Sequence, residues 1–303
     1  MYPFKRLMIG LSLKDEDPNT LEYAAMIHCL SLADKAYFVH VPASLDLPEE
    51  VRKEFPVLWE PADEAIVHTM QKMVDEHYLV DKASEVASEV AEGSPQDELL
   101  HKMQYKDVDL MIIGEHLGRH HTHNLPVKLA RKAPCSLLVV PEDSHARIER
   151  ILVGIDFSEH SADALQTAVC MAKDAGLSEV ICVHAYHVPI GFEKSGKSHE
   201  EFAGIMCRNA RASFERFAEE ISTHEVSLVP IFRLDRNPMH AILEEVTNQN
   251  ADLVVLGTRG RGIGASILLG SVTESVLENI EVPVLAVKQK GKNLNLLGAL
   301  LEL

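Results

Sequence analysis

The residues with the clearest potential for chemistry lie in a glycine-rich segment near the end of the chain. Gly257 and Gly260 follow an apolar run, and Gly270 and Ser271 come after nine intervening residues, at the start of an amphipathic segment. This order predicts a strand, a glycine-rich loop and a helix. The amides at a helix N-terminus attract anions, and glycine lets a phosphate approach them closely. The segment therefore predicts an anion site, with a flexible surface loop as the alternative.

Charged and hydroxyl side chains flank this loop. Arg259 and Arg261 add positive charge, and Ser271 adds a hydroxyl. No Gly-Lys-Ser or Gly-Lys-Thr follows the glycines, so the loop is not a Walker A loop. The glycines of the dinucleotide fingerprint lie much closer together than these do. Both of the common nucleotide motifs are therefore excluded.

Further candidate residues stand where predicted strands end. Asp156 follows one apolar run, and residues 183–185 end another. In an open parallel sheet, ligands bind beyond the carboxyl ends of the strands. Asp156 could bind a ribose or a base, but Asp156 or Ser158 could instead cap a helix. His40 and His184 occupy equivalent strand ends, where a buried histidine bonded to backbone is a simpler interpretation than catalysis.

The chain repeats itself at an offset of about 144 residues. Residues 5–11 match residues 149–155, and residues 107–114 match residues 250–257. The first copy is six residues shorter than the second, and the gap falls inside the glycine loop. Two domains of similar fold are therefore predicted, at 1–145 and 146–290, followed by an apolar tail at 291–303.

Each copy alternates apolar runs with amphipathic segments. Near-continuous Val, Ile and Leu runs that alternate with helices predict a parallel sheet covered on both faces. The fold class is therefore α/β, with two tandem doubly wound domains of five strands each. The predicted strands are at about 5–11, 36–41, 84–90, 108–113, 136–140, 150–155, 179–185, 226–233, 252–257 and 283–287. The predicted helices are at about 18–33, 61–79, 95–104, 159–175, 199–223, 238–249 and 271–280.

Composition narrows the class of partner. The formal charge of −17 argues against nucleic acid or an anionic membrane as the main partner. No apolar run approaches the length of a transmembrane helix. Five cysteines without a C-x-x-C pair indicate reduced thiols and a cytoplasmic protein. Any anion site must then be built locally, against the field of the whole chain.

Several motifs, taken in order, resemble the tandem form of the universal stress protein family. The resemblance extends to about Lys290 and includes the glycine spacing of the ATP-binding branch of that family. It implies a five-stranded parallel sheet in the order 3-2-1-4-5 and a two-fold interface through the last strand. The motifs are Val-Gly-Ile-Asp-Phe-Ser at 153–158, Val-His-Ala at 183–185, Leu-Gly-Thr-Arg-Gly at 256–260, Gly-Ser-Val at 270–272 and Val-Pro-Val-Leu at 282–285.

The resemblance also assigns roles in binding ATP, alone or with Mg²⁺. Asp156 and Val183 would contact the adenosine part, and Arg259 adds charge beside the phosphates. The ribose and phosphates would be held by Gly257, Gly260, Gly270, Ser271 and Val272.

The first copy departs from this pattern. Ser12 stands where the second copy has Asp156, and Asn124-Leu125 replaces Gly-Ser. One ATP per chain is therefore expected, in the second copy. The shortened loop also carries a histidine cluster, which could bind Zn²⁺ or Ni²⁺ or could simply be solvated. The cluster consists of His116, His120, His121 and His123.

The combined expectation is a regulatory ATP-binding module with at most slow ATP hydrolysis. No acid pair for Mg²⁺ and no placed general base is recognisable near the loop, although phosphoryl transfer needs both. A slow ATPase or phosphoryl or adenylyl transferase, and an interaction scaffold without ligand, are the alternatives. The last strands of the two copies, 136–140 and 283–287, are apolar edges and are expected to pair within the chain. A homodimer through the tail is a further expectation, and no protein partner can be named.

Overall fold

A computed structural model describes most of the chain. The described residues are 2–14, 17–42, 62–80, 84–115, 125–260, 269–279 and 281–289, and residues 62–65 are described as backbone alone. Contacts divide them into two compact units, residues 3–146 and residues 147–289, with Tyr2 belonging to the second. The predicted tail at 291–303 lies outside the described residues. No helix among the described residues is long and apolar enough to cross a membrane.

The first domain is a five-stranded parallel sheet with helices between its strands. The strands follow the order β3-β2-β1-β4-β5, as predicted. Its described elements are β1 (Arg6–Leu11), α1 (Asp17–Ser31), β2 (Lys35–His40), α2 (Ala62–His77), β3 (Glu85–Val90), α3 (Pro95–Tyr105), β4 (Leu110–Glu115), α4 (Leu125–Lys132) and β5 (Ser136–Pro141).

The second domain repeats this topology, with strands in the order β8-β7-β6-β9-β10. The predicted fold class is confirmed. A 3₁₀ turn at Phe192–Ser195 precedes the helix α6. The other described elements are β6 (Ile151–Gly154), α5 (Glu159–Asp174), β7 (Glu179–Tyr186), α6 (His199–Ala218), β8 (Ser227–Leu234), α7 (Pro238–Gln249), β9 (Leu253–Gly257), α8 (Ser271–Asn279) and β10 (Val284–Val287).

Two helices differ from the sequence prediction. The sequence analysis does not include the helix α4, an amphipathic segment of eight residues whose first turn contains Pro126. The helix α6 ends at Ala218 rather than at residue 223. After it, Glu220 N and Ile221 N donate to carbonyl oxygens three residues back, at Phe217 and Ala218. The chain therefore leaves the α-helix through tighter turns.

The repeat extends to single backbone angles and side-chain contacts. Leu13 and Phe157, which follow β1 and β6, have φ angles of 58° and 61°. Each domain also has an aspartate that receives the amides at the start of its central strand. Asp109 accepts from Lys5 N and Arg6 N at 2.9 and 2.8 Å. In the second domain, the Asp252 carboxylate accepts from Glu149 N and Arg150 N in the same way. These bonds fix the central strand beside its neighbour.

We predict that Asp109→Ala weakens the start of β1. The change leaves two amides without their carboxylate acceptor, which costs about 1–3 kcal/mol for buried groups and less where water replaces it. Hydrogen-exchange mass spectrometry should show faster exchange in peptides covering β1, while peptides covering β6 keep their rate. Asp75→Ala, at an exposed position on α2, is the control. Unchanged exchange in β1 would contradict this account of Asp109.

Candidate functional site

The second domain contains a cavity of about 330 Å³ at the carboxyl ends of β6, β7 and β9. The strand order reverses between β6 and β9, which is where open parallel sheets bind ligands. Residues from the start of α7 and α8 complete the wall. All eight site residues proposed from the sequence line this one cavity. They are Asp156, Val183, Gly257, Arg259, Gly260, Gly270, Ser271 and Val272.

A tight turn after β6 places the Asp156 carboxylate in the cavity wall. Its Oδ1 accepts from Ser158 N at 3.0 Å and from Ser158 Oγ at 2.5 Å. Ser158 Oγ in turn accepts from Ser161 N at 3.2 Å and caps α5. The left-handed conformation of Phe157 makes the turn possible. Of the two capping candidates, Ser158 is the N-cap, and Asp156 is oriented by it.

The strand β7 supplies an apolar wall and a fixed histidine. Val183 is 2% exposed, and His184 follows it at the cavity. His184 Nδ1 lies 2.8 Å from the carbonyl oxygen of Ile155, so Nδ1 must carry the proton that it donates. His40 Nδ1 makes the same contact with Leu11 O in the first domain, also at 2.8 Å. The prediction that both histidines bond to backbone is confirmed, although both side chains are half-buried rather than buried.

Two glycines of the loop are required for different reasons. A Cβ atom on Gly257 would lie 2.6 Å from the carbonyl oxygen of His160, in the first turn of α5. A Cβ atom on Gly260 would instead lie 2.7 Å from Oδ2 of Asp156. Gly257 therefore lets the end of β9 pack against a helix backbone. Gly260 lets the loop pass beside the Asp156 carboxylate.

Hydrogen bonds join the two ends of the glycine loop. Gly270 N donates to Thr258 O, and Thr273 Oγ1 donates to Gly257 O, both at 2.8 Å. The first bond within α8 runs from Glu274 N to Gly270 O. The amide of Gly270 is therefore already committed to the loop. This corrects the expectation that Gly270 offers a helix-start donor. The helix-start N–H groups that could donate to an anion are those of residues 271–273.

The lining of the cavity is chemically mixed. Val183, Ile242 and Pro238 make an apolar slot, and Asp156 contributes a carboxylate. Arg259 and the start of α8 also line the cavity, and the helix dipole adds partial positive charge there. A ligand with a flat apolar part, hydroxyl groups and an anionic part would match this arrangement.

Several lining residues were not identified from the sequence. They come from helix starts and strand interiors that become neighbours only in the fold. Pro238 could have been found, because it repeats Pro95 of the first copy at an offset of 143 residues. His184 and Ala185 were among the strand-end candidates at 183–185, although no role in binding was assigned to them. The other unpredicted residues are Gly154, Ile155, Ser161, Ile242, Leu256 and Thr273.

Some proposed residues fall outside the part of the chain that the structure describes. These are Arg261 of the glycine loop and the four histidines at 116, 120, 121 and 123. Among the described residues, no group of three or more His, Cys, Asp or Glu side chains is arranged to hold a metal ion.

Comparison with known proteins identifies both halves of the chain. The model of the universal stress protein family matches residues 3–141 and residues 147–288. A universal stress protein of Mycobacterium tuberculosis is 28% identical over 253 residues, which cover 78% of this chain and 81% of that protein. One from Thermus aquaticus is 33% identical over 138 residues, covering 46% of this chain and 97% of that protein.

Solved structures agree at the level of the fold. A universal stress protein from Archaeoglobus fulgidus superposes with a TM-score of 0.64, at 17% identity, and covers 94% of this chain and 97% of its own. A functionally unknown protein from Pseudomonas aeruginosa superposes with a TM-score of 0.63, at 16% identity, and covers 99% of this chain and 96% of its own.

We predict that alanine lowers the stability of the second domain much more at Gly257 than at Gly260. Gly257→Ala should lower the stability of the second domain by about 1–3 kcal/mol, because the new Cβ meets helix backbone that cannot move aside. Gly260→Ala should lower stability by no more than about 0.5–1.5 kcal/mol, because the new Cβ meets the end of the Asp156 side chain, whose shift would weaken its hydrogen bonds to Ser158 but would not move backbone. Urea unfolding of each variant measures the difference.

Gly204→Ala is the control for these two variants. Gly204 lies inside α6, where a Cβ atom would come no closer than 3.7 Å to another group. Alanine there should stabilise the helix by about 0.5–1 kcal/mol. Equal losses at Gly257 and Gly260 would contradict the distinction between their roles.

Proposed function

Because the chain belongs to the universal stress protein family, in its tandem form with two family domains, we propose that it is a regulatory protein that binds ATP. Many members of the family bind ATP. The proposed site is the cavity of the second domain, with one ATP per chain. The single observation that carries the proposal is that an apolar slot, a carboxylate and a helix N-terminus line the same cavity.

The chemistry of the lining residues supports this placement of ATP. Adenine is flat and largely apolar, so it fits the slot formed by Val183 and Ile242. The Asp156 carboxylate can accept from ribose hydroxyls or from the base. The phosphates would then lie beside Arg259 and the first amides of α8. A cavity of about 330 Å³ is of the size that small-molecule sites require.

A Mg²⁺ ion, if it accompanies ATP, would be held mainly by the phosphates. Among the described lining residues, Asp156 is the one carboxylate, and Ser158 already occupies its Oδ1. Magnesium sites commonly combine one or two carboxylates with phosphates and water. The described lining therefore offers no second acid that would fix the ion for phosphoryl transfer.

The site supports binding better than catalysis. A base would have to reach an attacking water, and His184 is the one imidazole among the described lining residues. Its Nδ1 is committed to the Ile155 carbonyl, which fixes the ring within the wall. We therefore propose a cytoplasmic, non-enzymatic role in stress response, with slow ATP hydrolysis as the second candidate. Pairing of the two domains through their last strands, and a homodimer, remain predictions for light scattering and an experimental structure.

Calorimetry should find one ATP per chain, and Gly270→Asp should abolish binding. Gly270 directly precedes α8, where an added carboxylate would receive the helix-start amides and repel phosphate. Ser94→Asp is the matched control, because it adds an acid at the N-cap of α3, which belongs to the first domain. It should leave ATP binding unchanged. Two equivalent ATP sites, or one that survives Gly270→Asp, would overturn the placement.

Turnover provides the test between binding protein and enzyme. We expect ATP hydrolysis far below the ordinary enzyme range of about 1–1,000 per second. A coupled assay on the purified chain, with Gly270→Asp as the background, measures it. Robust turnover that Gly270→Asp abolishes would establish an ATPase. No binding in the calorimetry, together with no turnover in the coupled assay, would favour a ligand-free scaffold.

A further inference from the structure

A cluster of hydrogen bonds ties the first turn of α7 to the ends of β7 and β8. The backbone N–H of Asp235, the residue after β8, donates to Tyr186 O at 2.9 Å. The Oδ1 of Asp235 accepts from Asn237 N at 2.8 Å, and its Oδ2 lies 2.6 Å from His240 Nδ1. Asn237 is the N-cap of α7 and accepts from Met239 N at 3.1 Å. One carboxylate therefore contacts the helix start at two points.

This cluster borders the apolar slot in the cavity of the second domain. Pro238 and Ile242, which line the slot, are the first and fifth residues of α7, and His240 lies between them. The strand β7, to which the Asp235 amide is bonded, contributes Ala185 to the same lining. Asp235 therefore connects a helix and a strand that both line the cavity.

The charge on His240 is sensitive to pH in the physiological range. The hydrogen bond to Asp235 and the charge on that residue raise the pKa of His240, and Glu244 adds to this. Arg233 opposes it, although Arg233 is itself paired with Glu244 and Glu245 at 2.5 and 3.1 Å. The bond to His240 in turn lowers the pKa of Asp235. The pair therefore favours a charged histidine beside a charged carboxylate.

The contact between His240 and Asp235 is strongest when the histidine is protonated. A positive charge in the first turn of a helix is unfavourable by itself, and the carboxylate offsets it through a charge-assisted hydrogen bond. Because the pKa of His240 is raised in the folded chain, this stabilisation is fully present below the ordinary value of about 6.5. It is lost as the pH rises through the folded-state pKa. Neutral His240 can still donate from Nδ1, so deprotonation weakens the contact without removing it.

The first domain has a smaller cavity at the equivalent strand ends, of about 190 Å³, but a different turn beside it. Glu92 stands where the second domain has Asp235, and Asp97 stands where it has His240, at an offset of 143 residues. Two acidic residues therefore occupy the positions of the acid–base pair. The pH-dependent helix start is a property of the second domain.

We propose that His240 is a positioning residue that strengthens nucleotide binding in the second domain when it is protonated. Protonated His240 holds the first turn of α7 on Asp235, and this turn brings Pro238 and Ile242 to the slot. Deprotonation lets the turn fray, so the slot is complete for a smaller fraction of the time. The role in binding rests on the nucleotide site proposed above, whereas the coupling of His240 to the helix start rests on the hydrogen bonds alone.

Adenosine titrations at two pH values test the role in binding. Binding to the full chain is followed through the δ1-methyl NMR signal of Ile242, which lines the cavity. The wild-type affinity should be about two- to fivefold weaker at about pH 8 than at about pH 6, the range of an exposed ion pair. His240→Gln should bind at the weaker level at both pH values, and His240→Lys, which keeps its charge, at the stronger level. The same pH dependence in all three chains would overturn the proposal.

Adenosine is the main probe because it has no phosphate that titrates or that the charge on His240 could attract. ATP is titrated in parallel and should show the same differences between the wild-type chain and the two variants. A response to ATP alone, whether in binding or in its pH dependence, would overturn the positioning role. It would assign His240 to direct attraction of phosphate instead.

NMR of the unliganded chain separates this proposal from the proposed function. The Ile242 methyl signal should move with the same midpoint as the ring signals of His240. This movement should be lost in Asp235→Asn, which keeps an oxygen for the Asn237 amide and removes the charge, although His240 still titrates there. An Ile242 signal that ignores the His240 titration would overturn the positioning role even in a chain that binds ATP. Absence of binding with the coupling intact would overturn the proposed function instead.

His199→Gln is the matched control for the histidine variants. His199 occupies the first turn of α6 in the same domain, where its ring packs edge-on against Phe192. The variant should keep the wild-type pH dependence of adenosine binding. The side chain of His240 is 65% exposed, so its variants should keep the thermal midpoint of the wild-type chain. Loss of the pH dependence in His199→Gln, with no loss in His240→Gln, would overturn the assignment to His240.

Discussion

The close approach of β9 to the first turn of α5 is the constraint on which the second cavity depends. Gly257 lies so near the His160 backbone that no side chain fits between them. This contact brings the start of the glycine loop beside the turn that carries Asp156. The hydrogen bond from Gly270 N to Thr258 O then returns the far end of the loop to the same place. A helix start, an arginine and a carboxylate are thereby gathered from distant parts of the chain.

The two domains show how one fold can keep a cavity while the residues that line it change. The sheet order, the left-handed turn after the central strand and the backbone-bonded histidine recur in both. The differences are concentrated at the ends of helices, where amides and hydroxyls are either offered or withheld. Pro126 and Leu125 remove donors from one helix start without disturbing the strands below it. The two cavities therefore differ at the starts of the helices that line them.

Charge places a second constraint on both sites. With a formal charge of −17, the chain as a whole repels anions, so an anionic ligand must be attracted by groups within a few ångströms. The second cavity has Arg259 and the start of α8 for this purpose. In the first cavity, the charge among the described lining residues is that of Asp17. Among the described lining residues, the two cavities therefore differ in the charge that they add.

The fold could be predicted from the sequence alone, because buried parallel strands require long apolar runs. The internal repeat also shows these runs at equivalent positions in both copies. It also identified the eight residues that the structure brings to one cavity, since their glycine spacing and strand-end positions are local features of the chain. Only the tertiary structure decided what those residues do. Gly257 packs against a helix backbone, and the amide of Gly270 donates to Thr258 O within the loop. In the first domain, the carboxylate of Asp17 accepts from the amide of Ser12, which stands where the second domain has Asp156. These roles depend on contacts between segments far apart in sequence, which residue types and spacing cannot specify.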